Sequence, residues 1–445
     1  MSMSKPRDNH YDVVIVGSGF GGSISALRLT EKGYKVLVIE AGARFKDTDF
    51  AKTSFNLKKF LFFPRLGLKG IQRIDLLRNV MVMSGAGVGG GSLVYANTLY
   101  RPPTSFFKTG SWAKMCDWEK ELAPYYSQAE RMLGVEVNTY MSPADIELKK
   151  AADQMGYGDS FQMAPLGIHF GEPGQEVADP YFGGVGPNRT GCINCGECMT
   201  GCRHNAKNTL PKNYLGIAEG IGATVIHETT VTDFEEVNGE WLISTRKSGA
   251  WFGGRQKFTA KEVIVAGGTY NTQKLLHRMR DKDKLPKLSQ QLGHLSRTNS
   301  EALTGALMPD TSINYSEGAA ITSSFYPDEN THVEPVRYGK GSNAMGLLQT
   351  IATDGTNLAG RHKQWWATVL RNPRTLLRIL NVRKWSERTV IALVMQNVES
   401  SISVRGKRSI FGWRLTSKNN SENPNATYIP AANEVVRRIA KNRGG

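Results

Sequence analysis

The stretch YDVVIVGSGFGGSISALRLTEKGYKVLVIEAG, residues 11–42, predicts the fold of the N-terminal part of the chain. Its pattern indicates a strand, a tight glycine turn, a helix and a second strand, which together form a βαβ unit. The turn has the spacing G-x-G-x-x-G at Gly17, Gly19 and Gly22. In this spacing the first glycine permits the turn, the second lets the backbone approach a pyrophosphate, and the third packs the helix against the strand.

An acidic residue follows the second strand of this unit. Glu40 lies 18 residues after Gly22, where a carboxylate can accept hydrogen bonds from a ribose diol. The strand context and the placed acid predict a dinucleotide site, although a glycine turn without a ligand remains the alternative. The motif serves both NAD and FAD, so it does not choose between them.

A second glycine-rich run, GAGVGGGSLVYANTLYRPP at 85–103, is too rich in glycine for a packed helix or strand. It indicates that the backbone approaches a flat or anionic group. Together with LAPYYSQAERMLGV at 122–135 and VIVAGGTYNTQKLL at 263–276, it resembles the glucose-methanol-choline oxidoreductase family, and within it the cholesterol oxidase-like branch. The resemblance extends from about residue 11 to residue 442.

This resemblance implies an α/β fold. A Rossmann-like FAD-binding domain is expected to be interleaved with an α+β substrate domain built on an antiparallel sheet. FAD would be bound in an extended pose, with its ADP half on the first glycine turn and Glu40 and its flavin against the second glycine loop. The residues implied in that second loop are Gly87, Gly89, Gly90, Gly91, Ser92 and Asn97.

Two further segments are implied in FAD binding by the resemblance. The stretch ATVIHETTVTDFE, residues 223–235, reads as paired strands, and Val231 within it matches a position that meets adenine through the backbone. An apolar strand then ends in Ala-Gly-Gly at Gly267, where the backbone could approach the cofactor closely. A plain strand-to-helix turn at Gly267 is an equally open interpretation.

The activity implied by the resemblance is oxidation of the CH–OH group of a sterol or other lipophilic alcohol, with hydride transfer to the flavin. In sterol oxidases a glutamate also shuttles a proton that moves the steroid double bond. The segment DENTHVEPVRYGKG, residues 328–341, resembles the one that carries this acid and points to Glu334. A surface salt bridge is the alternative role for this side chain.

The family pattern is interrupted at one place. The histidine base of the family lies in a C-terminal His-x-Leu-Gly-Gly segment, and these 445 residues contain no such segment and no histidine after His362. We therefore expect a truncated chain that lacks its C-terminal catalytic segment, binds FAD weakly and turns over little. The alternative function is an inactive remnant that keeps the dinucleotide-binding architecture and an attraction to lipid surfaces.

Four of the five cysteines are clustered in GCINCGECMTGC, residues 191–202, with the spacing C-x2-C-x2-C-x3-C. This spacing matches that of bacterial ferredoxins and predicts a single iron–sulfur cluster. The fourth ligand is unclear, because only Cys116 lies elsewhere, and a metal-free reduced loop remains open. Zinc fits less well, since its sites usually draw on two separated ligand pairs. The candidate ligands are Cys192, Cys195, Cys198 and Cys202.

The formal net charge of +16 is concentrated near the C-terminus. The segment 360–387 holds seven Lys or Arg and one acidic residue, mixed with tryptophans and leucines. Such a mixture suits peripheral contact with an anionic membrane, and a solvated face over a core helix is equally open. A nucleic-acid partner is not expected, because no recognition motif accompanies the charge.

The N-terminus leaves no room for a signal peptide, and no run of about 18 apolar residues predicts a membrane span. We expect a cytoplasmic protein that is able to associate with membranes. The predicted organisation is an FAD-binding domain in two parts, an insertion with the cysteine cluster, and a substrate domain. Their respective bounds are 8–110 and 200–300, 111–199, and 301–435.

Overall fold

The computed structural model describes residues 9–445 apart from 79, 111, 356–359, 411, 421 and 423. The predicted domain boundaries at positions 8 and 111 therefore lie outside the described residues.

The strands form two larger sheets and several short pairs. In chain order they are β1 (His10–Val16), β2 (Val36–Ile39), β3 (Phe62–Phe63), β4 (Leu68–Lys69), β5 (Gln72–Leu76), β6 (Met81–Gly85), β7 (Glu136–Val137), β8 (Gln162–Met163), β9 (Pro165–Leu166), β10 (Glu176–Val177), β11 (Arg189–Thr190), β12 (Thr224–Ile226), β13 (Thr229–Val237), β14 (Glu240–Lys247), β15 (Arg255–Val265), β16 (Glu301–Leu307), β17 (Ser323–Asp328), β18 (Thr331–Val336), β19 (Thr389–Gln396), β20 (Ile402–Ser409) and β21 (Gly412–Asn419).

The helices connect these strands and cover the sheets. They are α1 (Phe20–Glu31), α2 (Leu57–Phe60), α3 (Thr104–Phe107), α4 (Trp118–Leu133), α5 (Pro143–Met155), α6 (Tyr214–Gly220), α7 (Gly268–Arg280), α8 (Arg361–Arg371), α9 (Pro373–Leu380), α10 (Trp385–Arg388) and α11 (Pro430–Arg443).

The first sheet has the order β12-β2-β1-β15-β14-β13. Its first four strands are parallel, with Val13 of β1 opposite Val36 of β2 and Glu262 of β15. Successive residues of β1 point to opposite faces of this sheet. On one face Val13 packs with helices α1 and α6, and on the other Val14 packs with α7 and with residues of β2, β13, β14 and β15. The predicted βαβ unit and its Rossmann-like sheet are confirmed.

Strand β15 joins this parallel sheet to an antiparallel meander. Its C-terminal half pairs with β1, and its N-terminal half pairs with β14. The expectation that residues 223–235 form strands paired with each other is wrong. Strand β12 pairs with β2, and β13 pairs with β14 at the opposite edge of the same sheet. Glu228, between the two strands, has a positive φ of 52°.

The second sheet is antiparallel, with the order β16-β19-β18-β17-β8. One of its faces packs on helices α5 and α11 and contains Val333 and Val394. Their neighbours along the strands, Glu334 and Leu393, are paired across β18 and β19 and line a large cavity on the opposite face. The period of two in strands therefore puts the predicted acid on the cavity side.

The segment 111–199 contributes to the substrate sheet as well as carrying cysteines. Helix α5 packs into the core beneath this sheet, and β8 pairs with its edge strand β17. The division of the chain into the predicted domains stays a prediction.

The basic segment, residues 360–387, contains helices α8 and α9 and most of α10. No described residue of α8 or α9 is buried, so neither is a core helix. Within the described part of the chain, no helix combines the length and the apolar composition needed to cross a bilayer.

Candidate active site

A cavity of about 3320 Å³ extends from the first glycine turn to the substrate sheet. Its lining includes Gly19 at one end and Glu334 with Leu303 at the other. Ligand pockets are typically about 300–1,000 Å³, so this space can hold a dinucleotide together with a substrate.

The first glycine turn is shaped by backbone contacts that only glycine permits. Gly17 has a φ of 104°, and a Cβ atom there would lie 2.6 Å from the carbonyl oxygen of Ala266. A Cβ atom at Gly22 would lie 2.0 Å from the carbonyl oxygen of Gly17. A Cβ atom at Gly19 would meet nothing within 4 Å, because this residue faces the cavity.

Helix α1 begins directly after this turn. Its N-cap residue is Gly19, which supplies no side-chain hydrogen bond to the first amides of the helix. Uncapped amides and the helix dipole favour an anion at this position. A diphosphate placed against Gly19 would therefore be held by the N-terminus of α1.

The second glycine loop lies directly against the first turn. A Cβ atom at Gly90 would lie 2.6 Å from the Cα atom of Gly19, and one at Gly42 would lie 2.1 Å from the amide nitrogen of Gly87. The glycines of this run therefore permit two loops to touch, in addition to any approach to a ligand.

Glu40 accepts hydrogen bonds from both loops. Its Oε2 atom accepts from the amide and hydroxyl of Ser18, and its Oε1 atom accepts from the amides of Gly42 and Gly87 at 2.8 and 3.4 Å. These four donors match the roughly four lone-pair positions of a carboxylate. A ribose diol would have to share them, and contact between Glu40 and a ribose stays a prediction.

The predicted residues divide into two groups by position. Eight line the cavity, namely Gly17, Gly19, Glu40, Gly90, Gly91, Val231, Gly267 and Glu334. The other five, Gly22, Gly87, Gly89, Ser92 and Asn97, lie close to it but are not among the lining residues. Ser92 supports the loop, since its hydroxyl donates to the Gly89 carbonyl and accepts from the Leu210 amide.

Asn97 is fully buried and has a positive φ of 74°. Its side-chain amide interacts with the buried thiol of Cys198, on the side of the cysteine loop.

Glu334 lies on β18 with 1% of its surface exposed. Burial, and secondarily the charge of Glu301, raises its pKa to about 8. Its Oε1 atom has no hydrogen-bond partner among the described residues. The side chain is therefore a neutral acid near pH 7, which excludes the surface salt-bridge role considered from the sequence.

Comparison with known proteins supports this geometry. A family model described as FAD dependent oxidoreductase matches residues 12–335. A cholesterol oxidase of Mycobacterium tuberculosis is 56% identical to this chain, in an alignment that covers 97% of this chain and 77% of the relative. A cholesterol oxidase of Acinetobacter baumannii is 41% identical, in an alignment that covers 97% of this chain and 80% of the relative.

The chain belongs to the cholesterol oxidase-like branch of the glucose-methanol-choline oxidoreductases. It is an FAD-dependent alcohol oxidoreductase. The crystal structure of a pyridoxine 4-oxidase from Mesorbium loti has the same fold, with a TM-score of 0.52, 12% identity, and coverage of 97% of this chain and 79% of that one.

Sequence reasoning missed three aromatic side chains near the acid of this oxidoreductase, namely His332, Tyr326 and Tyr100. The ring of His332 stacks on Tyr326 with centroids 4.5 Å apart and meets Tyr100 edge-on at 4.9 Å. Burial lowers the pKa of His332 to about 4, so it is neutral. The sequence could have indicated that His332 lies on the same face of β18 as Glu334, because residues two apart in a strand point the same way.

The four cysteines of the cysteine loop, residues 191–204, do not line the large cavity, whereas Met199 of the same loop does. Cys192, Cys198 and Cys202 are buried, and all four cysteines border a separate space of only about 10 Å³. No three of the four sulfur atoms lie within 4.8 Å of one another. This space suits a single small ligand, since one water requires about 10–15 Å³.

Proposed function

We propose that this oxidoreductase acts on the hydroxyl group of a sterol. The observation that carries the proposal is the position of Glu334, a neutral buried acid on the apolar wall of a cavity that continues to the glycine turn. The two relatives named cholesterol oxidase support the same substrate class.

FAD fits the residues at the opposite end of the cavity. Gly19 and the uncapped N-terminus of α1 would hold the diphosphate, and Gly90 and Gly91 would border the flavin end. When bound, FAD accepts the hydride that leaves the alcohol carbon.

The substrate sheet supplies an apolar surface for the body of a sterol. Leu303, Leu393 and Met395 share the cavity face of this sheet, and Trp385 lines the cavity beside them. Burial of apolar surface contributes about 25 cal/mol per Å², so a fused-ring substrate would be held mainly by this wall.

Glu334 would move a proton during double-bond migration. The carboxyl group is protonated near neutral pH and also close to its point of ionisation, because its pKa is about 8. A shuttle must both accept and release a proton, which is easiest when its pKa is near the working pH.

Helices α8 and α9 would contact the membrane that supplies such a substrate. Leu370 and Leu377 are 77% and 68% exposed on a segment with seven cationic residues and one acidic residue. On the other side, Trp365 and Ile379 line the cavity. The same pair of helices therefore combines a lipid-binding surface with a wall of the substrate site.

Two expectations stay open beside this proposal. The iron–sulfur cluster stays a prediction, and the space of about 10 Å³ between the cysteines would have to enlarge to hold one. The inactive remnant is less well supported than an active enzyme, because a continuous cavity joins the glycine turn to Glu334.

Replacement of Gly19 by alanine tests the proposed cofactor position. The new methyl group would meet no protein atom within 4 Å but would project into the cavity. We expect Gly19→Ala to keep its thermal stability and to retain at least about tenfold less flavin, with less sterol-dependent bleaching of the flavin absorbance. Gly220→Ala is the matched control, since it also meets nothing. Equal flavin retention by both variants would contradict the proposal.

A further inference from the structure

We propose that the cysteine loop binds a single Zn²⁺ ion through Cys195, Glu197 and His204. The ligand atoms of these three residues, one from each side chain, all lie within 4.8 Å of one another. The proposal is independent of FAD binding, because these residues lie outside the large cavity.

The chemistry of the three groups fits zinc. Thiolate, imidazole and carboxylate are its usual ligands, and sites with three protein ligands leave a fourth position open. The same three residues border the small space of about 10 Å³, together with Cys192 and Cys198. This volume is close to the lower limit for one water molecule, so it is suited to a single ion.

The distance between two of the ligand atoms is informative. Nε2 of His204 lies 3.6 Å from Oε2 of Glu197, which is too long for a hydrogen bond. Two atoms that each lie about 2.1 Å from one tetrahedral ion are separated by about 3.4 Å. The imidazole and carboxylate are therefore spaced as two ligands of one ion and need to move only slightly.

The sulfur atoms accept hydrogen bonds from main-chain amides. The amide of Asn194 donates to the sulfur of Cys192 at 3.4 Å, and the amide of Glu197 donates to that of Cys195. In each case the donor is two residues after the cysteine. Contacts of this kind, made from outside a metal site, orient its ligands.

Glycines fix the path of the loop around the site. Gly196 has a φ of 73°, and a Cβ atom there would lie 2.2 Å from the carbonyl oxygen of Ser316. Gly201 has a φ of 101° and packs directly against the ring of Phe50. The loop is therefore held rigidly, which reduces the entropy lost when an ion binds.

Arg203 already forms an ion pair with Glu197, in which one guanidinium nitrogen, Nη2, donates to both carboxylate oxygens at 2.7 Å. A carboxylate has about four lone-pair positions, so two remain for an ion. The guanidinium fixes the orientation of the carboxylate, as an outer partner does in many metal sites.

Metal analysis of the purified full chain tests the proposal. After dialysis against buffer with added Zn²⁺ and then without it, we expect about one zinc per chain. Cys195→Ser and His204→Ala should each weaken zinc binding by at least about 100-fold in a chelator competition. Cys116→Ser is the matched control, since this cysteine is exposed and distant in sequence, and should bind zinc as the wild type does.

Substitution of Co²⁺ for Zn²⁺ in the wild type provides a second measurement that does not depend on the folding of a variant. A sulfur-to-cobalt charge-transfer band that disappears on addition of Zn²⁺ is expected. The proposal is overturned if the chain retains no zinc and shows no such band, or if Cys116→Ser loses zinc as the other variants do. A brown protein with iron and acid-labile sulfide would also overturn it and would support a cluster instead.

Discussion

The carboxylate of Glu40 accepts hydrogen bonds from both the main-chain amide and the hydroxyl of Ser18, at 3.1 and 2.8 Å. The same hydroxyl accepts from the amide of Gly89 at 3.0 Å. The end of β2, the first glycine turn and the second glycine loop are therefore joined through one serine. This arrangement shapes the first glycine turn before any ligand binds.

Ser18→Ala is expected to destabilise the protein and to weaken flavin binding together. Loss of the hydroxyl removes one donor to the buried carboxylate and leaves the Gly89 amide without its acceptor, which costs about 1–3 kcal/mol. Chemical denaturation measures the free energy of unfolding, and flavin absorbance measures cofactor retention. The control Ser105→Ala changes an exposed serine. A Ser18→Ala protein as stable as this control would argue against the bridging role.

Gly22→Ala and Gly21→Ala form a matched pair within one helix. A methyl group at Gly22 would lie 2.0 Å from the carbonyl oxygen of Gly17, whereas one at Gly21 would meet nothing within 4 Å. We expect Gly22→Ala to lose about 2 kcal/mol or more of stability through overpacking. Gly21→Ala should keep the wild-type melting temperature. Thermal denaturation of both proteins without added FAD checks this, and similar melting temperatures would contradict the packing role of Gly22.

Glu334 makes stability depend on pH. Its pKa is about 8 when folded against 4.5 ordinarily, so the unfolded chain ionises first as the pH rises. The free energy of unfolding should therefore fall between about pH 4.5 and pH 8, by an amount on the order of 4 kcal/mol, and then level off.

The comparison with Glu334→Gln isolates this contribution, because all other titrating groups are shared. Relative to the wild type, the variant should become more stable as the pH rises through that range, while its migration of the sterol double bond is lost. Urea denaturation at several pH values and chromatography of the steroid product measure the two effects. Glu329→Gln, on the exposed turn beside β18, should change neither. If the difference in stability between Glu334→Gln and the wild type did not change with pH, Glu334 would ionise in the folded protein at its ordinary pKa.

Leu370 and Leu377 are expected to anchor the chain to anionic vesicles. Replacing both by serine removes apolar surface without changing the charge and should weaken co-sedimentation at least about tenfold. Replacing the exposed Phe252 and Ile410 by serine is the control, since both are 94% exposed outside α8 and α9. High salt should weaken binding of every variant. Equal binding by both double variants would remove the membrane proposal.

Local spacing predicted much of the fold. The glycines at positions 17, 19 and 22 between two apolar strands have few structural solutions, so the βαβ unit was predictable. The antiparallel substrate sheet was expected from the family resemblance, and the structure confirms it. The pairing of β12 and β13 was predicted wrongly, because their separation depends on long-range pairing with β2 and β14 rather than on the two residues between them.

The sequence by itself determined the dinucleotide-type turn, because this turn depends on residue types at short, fixed separations. The candidate acid Glu334 came from the resemblance of a longer segment to the family. Only the tertiary structure decided that Glu40 accepts hydrogen bonds from four donors, that Glu334 is buried and faces the cavity, and that the cysteines border a space of about 10 Å³. Burial and hydrogen bonding are set by residues distant in the chain, so the free energy of each charge depends on contacts that local sequence does not contain.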